Sequence, residues 1–392
     1  HKVPHAPQHL RPISLISTEG KIIARVLHQR LAPHLRRYMN DIAQYAYQKG
    51  RSTQSACARA LDHCRYVRDT AQHLQPNIHQ KRQGHRPDLS KELEGGWLIS
   101  LDISKAFDTV SRVTLHQALV DAAIPPEIIS DVMRLVHSAK YHVVPGKKHQ
   151  VHSTRGIRQG CTLAPTLWLF VMGYLHRKAC DFLPPRFTKA ITYFADDTLL
   201  MHQVHSVPDL RRSLRHSREF MELLGQHGLV INSHKSKALL QLRGKLAPQA
   251  LARYTATGAS PTGKALRLPP TNIFAKNGLT IPWVNSVPYL GIVLSYENPE
   301  NLTVDNNLAE GQESVHAASQ TSHGALLSQP SAQGQVVDDV HRASCLVWPG
   351  GQRHHGQGGV PTTRSTGQTL ASDCPLARAP DARNHQCLAG AV

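Results

Sequence analysis

Residues 191–202 read Ile-Thr-Tyr-Phe-Ala-Asp-Asp-Thr-Leu-Leu-Met-His, with Asp196 and Asp197 adjacent between two short apolar runs. β-Branched and aromatic residues on both sides of a polar pair predict a β-hairpin whose tight turn carries two carboxylates. Neighbouring carboxylates repel each other, and a divalent cation offsets that repulsion. An Asp-Asp pair in a turn is equally compatible with plain solvation, so its meaning depends on the segments before it.

Working upstream, Arg155-Gly-Ile-Arg-Gln-Gly160 leads into the apolar stretch 161–180, which reads as a helix. Glycine lacks a Cβ, so this basic loop can approach a phosphate or sugar backbone closely; it can also be an ordinary helix start. Earlier still, Trp97–Ile103 (WLISLDI) is a mostly apolar strand interrupted by Asp102 near its end. Packing does not explain an acid there, because an isolated buried carboxylate is strongly disfavoured, whereas a ligand or metal role does. Phe107 follows, then amphipathic helices are predicted over 115–123 and 126–139, and a hairpin with a Pro-Gly turn over 141–154.

Residues 9–31 begin extended around Pro12 and become helical from Ser17 or Thr18, with Ile22, Ile23, Val26, Leu27 and Leu31 expected on one face. In 47–53 (YQKGRST), Gly50 permits a turn and Ser52 can cap a helix bearing Ala60, Leu61, Cys64 and Val67. Lys49 and Arg51 then lie at a helix N-terminus that favours anions, or in a solvated basic turn. Residues 75–96 read as a polar loop or insertion. Downstream, Ser206 and Asp209 form a capping box for a helix with Leu210, Leu214, Met221 and Leu224 inside. Arg211, Arg212, Arg215 and Arg218 form its outer face, either solvated or against a nucleic-acid backbone. Residues 228–232 are strand-like and lead to Lys235 and Lys237, 244–280 read as loop-rich, and 287–294 as a strand pair or tight turn.

A chain of 392 residues accommodates two or three domains or one multi-subdomain enzyme, and its net charge of +18 favours a polyanionic partner. Residues 301–392 hold five arginines, no lysine and seven acids, so the first 300 carry a net +20 and the polyanion site belongs there. Those last 92 residues also contain no Lys, Ile, Phe, Tyr or Met, which reads as a disordered tail or as translation out of frame. Seven scattered cysteines without a C-x-x-C pair argue against a disulfide framework and for a reducing compartment. Cys374, His385 and Cys387 lack zinc-site spacing. No secretory signal or membrane-length apolar run is visible, and an opening His1 suits a fragment or processed product.

The order of these segments resembles the reverse transcriptases of non-LTR (LINE-type) retrotransposons, with group II intron relatives more distant. The matching stretches are RPISL (11–15), KIIARVLHQRL (21–31), KGRST (49–53), LDISKAFD (101–108), RQGCTLAPTLW (158–168), FADD (194–197), GLVINSHKSK (228–237) and PYLGIVL (288–294). They cover about residues 9–295. Thr162 and Ala164 depart mildly from the family's Pro and Ser.

The resemblance implies an α+β right-hand polymerase, with fingers over 1–96 and an antiparallel palm with packed helices over 97–300. It leaves the thumb absent or degenerate after Tyr296 and residues 301–392 as a disordered or out-of-frame tail. It implies template-directed transfer from a dNTP to a primer 3′-hydroxyl on an RNA template, using two Mg²⁺ or Mn²⁺ ions roughly 3.5–4 Å apart. Asp102 and Asp196 would bridge the ions, with Asp197 supporting them and the Ile103 carbonyl assisting. Phe107 would exclude a ribose 2′-hydroxyl, and Gln159 and Gly160 would position template and nucleotide. Lys49 and Arg51, more weakly Arg11 and Lys21, would hold the triphosphate, and Lys235 would protonate pyrophosphate. Tyr289, Leu290 and Gly291 would form the primer grip. No endonuclease is expected before residue 1, no membrane partner, and the nucleus suits a retrotransposon product. The alternative is a decayed remnant that binds nucleic acid without catalysis.

Overall fold

A computed structural model describes residues 13–74, 78–84, 86, 90–137, 140–142, 150–271, 279–297 and 302–303. In chain order, the first half runs α1 (Thr18–Tyr38), α2 (Thr53–Leu74), α3 (Ile78–Arg82), β1 (Glu94–Leu101), β2 (Ile103–Ser104), α4 (Ala106–Thr109), α5 (Arg112–Asp121), α6 (Pro126–His137), β3 (Lys140–His142) and β4 (Gln150–His152). It continues with α7 (Ala164–Cys180), α8 (Pro185–Thr188), β5 (Thr192–Phe194), β6 (Asp197–Val204), α9 (Val207–Gln226), β7 (Val230–Ile231), β8 (Lys237–Arg243), α10 (Ala247–Tyr254), β9 (Thr255–Thr257), β10 (Lys264–Leu268), β11 (Leu279–Pro282), β12 (Val287–Tyr289) and β13 (Ile292–Leu294).

Strand β1 is the axis of an antiparallel sheet in the order β5-β6-β1-β8. Its run of apolar residues is explained by burial on both faces. Trp97, Ile99 and Leu101 enter the larger core cluster, while Leu98 enters a second one built with Ala56, Ala60, Cys64 and Val67 of α2. The α7 helix, apolar nearly all round, lies inside the larger cluster, as such a helix must. Helix α9 turns Leu210, Leu214, Met221 and Leu224 inward, and its Ser213 Oγ accepts from the buried Trp97 indole N–H at 3.0 Å. Its cap is as expected: Asp209 N–H donates to Ser206 Oγ at 3.2 Å. On α2, Ser52 Oγ accepts from Ser55 N–H at 3.2 Å.

Both sheet margins receive a further backbone contact. Beside β5, Tyr193 N–H donates to Ala43 O and Tyr45 N–H to Tyr193 O, each at 2.9 Å. Beside β8, Val284 N–H donates to Ala238 O at 2.9 Å.

Several expectations are corrected. On α1 the buried stripe is Ala24, Leu27, Leu31 and Tyr38, while Ile22, Ile23 and Val26 are exposed. The helix carries two apolar faces, and the i, i+4 pair Ile22–Val26 points away from the stripe packed against α7. The segment 244–280 is more regular than its weak pattern suggested: it holds α10, β9, β10 and the start of β11, which pair in the order β11-β10-β9. Strands of three to five residues leave too few alternations to read. Within 75–96, α3 forms and β1 begins at Glu94 rather than Trp97. Of the outward arginines of α9, Arg218 is half-buried and bonded to Glu222 at 2.7 Å. The 141–154 hairpin is present as β3 and β4, but its Pro-Gly turn, Arg11 and nearly all of 301–392 lie outside the described residues.

Helices α1 and α7 meet at Gly173, where an added Cβ would lie 2.5 Å from the Tyr38 ring and 2.9 Å from Met39 Sδ. That ring cannot swing aside freely, because its hydroxyl donates to Asp121 Oδ2 at 2.6 Å and the Arg177 guanidinium lies 4.5 Å over its centre. Gly173→Ala therefore destabilises the fold by about 1–3 kcal/mol in urea unfolding, outweighing the roughly 1 kcal/mol gain in helix propensity.

Candidate active site

The hairpin read from residues 191–202 is β5–β6, and its register pairs Phe194 with Asp197. The turn residues are therefore Ala195 and Asp196, and Asp197 is the first residue of β6 rather than part of the turn. Ala195 has φ 54°, at a position where glycine is the usual occupant. The fully buried Gln44 side chain holds it there. Gln44 Oε1 accepts from Ala195 N–H at 3.0 Å and Gln44 Nε2 donates to Ala195 O at 3.2 Å. The same carbonyl also accepts from the Trp168 indole N–H at 2.9 Å.

Asp102 stands just past β1, half-buried. Its backbone is pinned by the turn that follows β7. Asn232 N–H donates to Asp102 O at 2.9 Å, Asp102 N–H donates to Ser236 Oγ at 3.1 Å, and Ser236 O–H donates to Asn232 O at 2.8 Å. Lys235 projects from this same turn, whose Lys235 N–H donates to Asn232 Oδ1 at 3.2 Å.

The Gly-rich loop is fastened on both sides. Gly156 N–H donates to Val110 O at 2.8 Å, Ile157 N–H to Phe107 O at 2.7 Å, and Ser14 N–H to Gln159 O at 2.8 Å. Gly156 (φ 85°) and Gly160 (φ 97°) are needed for this fit. A Cβ would lie 2.6 Å from Asp108 O at the first and 2.6 Å from Ser14 O at the second. Gln159 Nε2 donates to both Asp108 carboxylate oxygens at 3.2 Å, which orients its amide. Phe107 stacks on Trp168 with ring centres 4.9 Å apart.

These segments enclose a cavity of ≈ 900 Å³ that brings together Asp102, Ile103, Phe107, Gln159, Gly160, Asp196 and Lys235. Tyr47, Lys105 and Asp108 also line it, and the sequence reading had assigned them no role. Burial and the charge of Asp196 push the Tyr47 phenol above its ordinary pKa. Asp197 is exposed and outside this lining; its charge reaches Tyr289, whose phenol is raised by burial, then by Cys57 and Asp197. Tyr289 ends β12 and Leu290 and Gly291 form the turn to β13, with positive φ at Leu290 (49°) and Gly291 (85°); Tyr289 and Leu290 pack in the cluster that holds α2.

Lys49 and Arg51 do not line the cavity. The Arg51 guanidinium is committed to the backbone: Nη1 donates to the carbonyls of Ile42 and Gln44 and Nη2 to that of Asn40. Lys21 is an exposed residue of α1. Among the described residues no three His, Cys, Asp or Glu side chains cluster as a complete metal cage. Two carboxylates beside an open cavity suit a hard cation instead, one that keeps water and substrate phosphate in its shell.

A family model described as "Reverse transcriptase (RNA-dependent DNA polymerase)" matches residues 1–294. The "Retrovirus-related Pol polyprotein from type-1 retrotransposable element R2" of Popillia japonica is 26% identical over 170 residues, covering 41% of this chain and 27% of that protein. Its namesake in Nasonia vitripennis is 30% identical over 115 residues, covering 28% of this chain and 11% of that protein. The alignments thus span under a third of these curated relatives. Among solved structures, the apo telomerase of Candida Tropicalis truncated from its C-terminal domain aligns at TM-score 0.43 and 11% identity, over 70% of this chain and 44% of that one. That likeness is too loose to bear on detail. The family match spans three quarters of the chain and the cavity is built from the motifs it contains: this protein belongs to the reverse transcriptase family.

Proposed function

We propose that this chain is the RNA-directed DNA polymerase core of a non-LTR retrotransposon, extending a DNA primer on an RNA template with dNTPs. The observation that carries the reading is convergence: Asp102 from the end of β1 and Asp196 from the β5–β6 turn line one cavity with Phe107, Gln159 and Lys235. In this reading residues up to 96 act as fingers and the β5-β6-β1-β8 sheet with its helices as palm.

Asp102 and Asp196, with the Ile103 backbone, are the groups that would hold divalent Mg²⁺ or Mn²⁺. Such ions, when bound in pairs, activate the attacking primer hydroxyl and stabilise the leaving pyrophosphate. The protein's own contribution is placement. Asp102 is fixed through Ser236 and Asn232, and Asp196 through Gln44 and Trp168. Gln159, held by Asp108, presents its amide to the template–nucleotide pair. Phe107, stacked on Trp168, would exclude a ribose 2′-hydroxyl. Lys235 lines the same cavity, from the turn that pins Asp102, and would give a proton to pyrophosphate. Asp197 supports the pair from outside the cavity, and the β12–β13 hairpin serves as primer grip.

Primer extension on an RNA template tests the reading directly. Asp102→Asn and Asp196→Asn each abolish dNTP incorporation while leaving primer–template affinity, and its steep salt dependence, in place. Equal incorporation by either variant overturns the assignment. A wild-type chain that binds nucleic acid but extends no primer supports the remnant instead. Phe107→Val raises ribonucleotide incorporation relative to deoxynucleotide by roughly tenfold or more, read as a ratio of kcat/KM values. Gln44→Ala leaves the buried N–H groups of Ala195 and Ala46 without their acceptor, costs about 1–3 kcal/mol in denaturant unfolding, and lowers kcat more than it raises the dNTP KM.

A further inference from the structure

The lining of the cavity that holds Asp102 and Asp196 carries two lysines against three aspartates, so the net positive charge of residues 1–300 resides elsewhere. Part of it surrounds a second cleft, of ≈ 480 Å³, between α2, α8 and the far end of β6. Arg59, Tyr66, Arg186, Lys189 and His202 are among its walls, and it shares no lining residue with the first cavity. Strand β6 sets the separation. His202 lies six residues beyond Asp196, about 20 Å at the rise of an extended strand.

Among the described residues lining this cleft, the cations are Arg59, Arg186 and Lys189, and the one carboxylate, Asp62, lies 3.7 Å from Arg65 of its own helix. Two of the cations are held in place. Arg59 Nε donates to Thr192 Oγ1 at 2.8 Å and its Nη2 to Lys189 O. Arg186 Nη2 donates to Gln203 O at 2.9 Å, with Nη1 3.6 Å from Asp209, a carboxylate also 3.2 Å from His202 Nε2. A guanidinium carries five donors, so these bonds fix its direction and leave others for an anion. The positive field continues onto α9. Its His216 meets Phe187 of α8 edge-on at 5.7 Å, and burial, then Arg215, His202 and Arg212, hold that imidazole down to about 4. Tyr66 adds an aromatic wall that is 39% exposed. Cations that follow phosphates beside an aromatic face that takes a base are the combination that grips single strands, whereas a duplex keeps its bases stacked inside.

We propose that this cleft is a second nucleic-acid site that binds a single strand, with Arg59, Arg186 and Lys189 along the phosphates and Tyr66 against a base. It lies beyond the polymerase cavity and is read by affinity alone, so it stands whether or not a primer is extended. Its effect is to hold an unpaired strand on the protein independently of any duplex at the carboxylates.

The experiment is fluorescence anisotropy of a labelled single-stranded RNA of about 12 nucleotides, titrated with the full chain in the presence of saturating unlabelled blunt RNA–DNA duplex. Wild type, Lys189→Gln, Tyr66→Ala and Tyr66→Phe are compared over a range of salt. Wild type is expected to bind the single strand with the duplex present. Lys189→Gln should reduce the slope of log affinity against log salt by about 0.7, the value of one phosphate contact on a single strand. Tyr66→Ala should weaken binding roughly tenfold, as loss of one stacked base does, while Tyr66→Phe retains wild-type affinity. Complete displacement of the RNA by the duplex overturns the proposal. So does unchanged binding in both Lys189→Gln and Tyr66→Ala, or a loss in Tyr66→Phe as large as in Tyr66→Ala, which marks a structural role. Poly-glutamate that competes as well as the RNA, charge for charge, overturns it too, because that marks a charge patch without base stacking.

Discussion

The Asp196 turn holds a non-glycine residue at positive φ, and the Gln44 amide is what keeps it there. An alanine in that region costs about 1–2 kcal/mol, comparable to the net value of the two hydrogen bonds that Gln44 makes to it. Because Gln44 is fully buried, those bonds face little competition from water. Trp168 extends the constraint, since its N–H reaches Ala195 O while its ring supports Phe107. Phe107 O in turn anchors Ile157 of the Gly-rich loop, and that loop carries Gln159. The Asp196 turn, the Phe107–Trp168 stack and the Gln159 amide thus share one hydrogen-bonded and stacked framework drawn from distant parts of the chain.

Backbone strain is concentrated on the same framework. Tyr47, Lys105 and Ala195 all have positive φ, and each lines the cavity or shapes the turn beside it. Against a typical domain stability of about 5–15 kcal/mol, such strain is a sizeable fraction, tolerated where surrounding structure over-determines the conformation. The double-sided burial of β1 supplies that surrounding structure: Leu98 is held by α2 on one side, and Trp97 and Ile99 lie in the larger cluster on the other.

Local rules were readable from the sequence because their causes are local. The β5–β6 hairpin, the Ser206 cap and the acid at the end of β1 follow from alternation, capping chemistry and the cost of a buried charge. Motif order then placed Asp102, Asp196, Phe107 and Gln159 in one family's pattern, and the structure brings them to one cavity. Gln44 carries no signature of its own between Ala43 and Tyr45; only its partner 151 residues away reveals its role. Asp108 lay within a quoted motif, and its role depends on the tertiary contact with Gln159. Arg51 was placed by its motif at a phosphate site, whereas three backbone carbonyls within its own loop are the nearer partners. On α1 the pattern offered two apolar faces, and only packing against α7 selects between them.

The backbone contacts at the sheet margins have a colloidal consequence. Open β-edges are templates for pairing with other chains, and here β5 is covered at Tyr193 by residues 43–45 and β8 at Ala238 by Val284. The segment that covers β5 is the one that carries Gln44. Local opening there would release a strand edge at the same moment that it loosened the Asp196 turn. Loss of turn geometry and exposure of an aggregation-prone edge are therefore coupled events in this fold, so the protein's solubility reports on the integrity of its site.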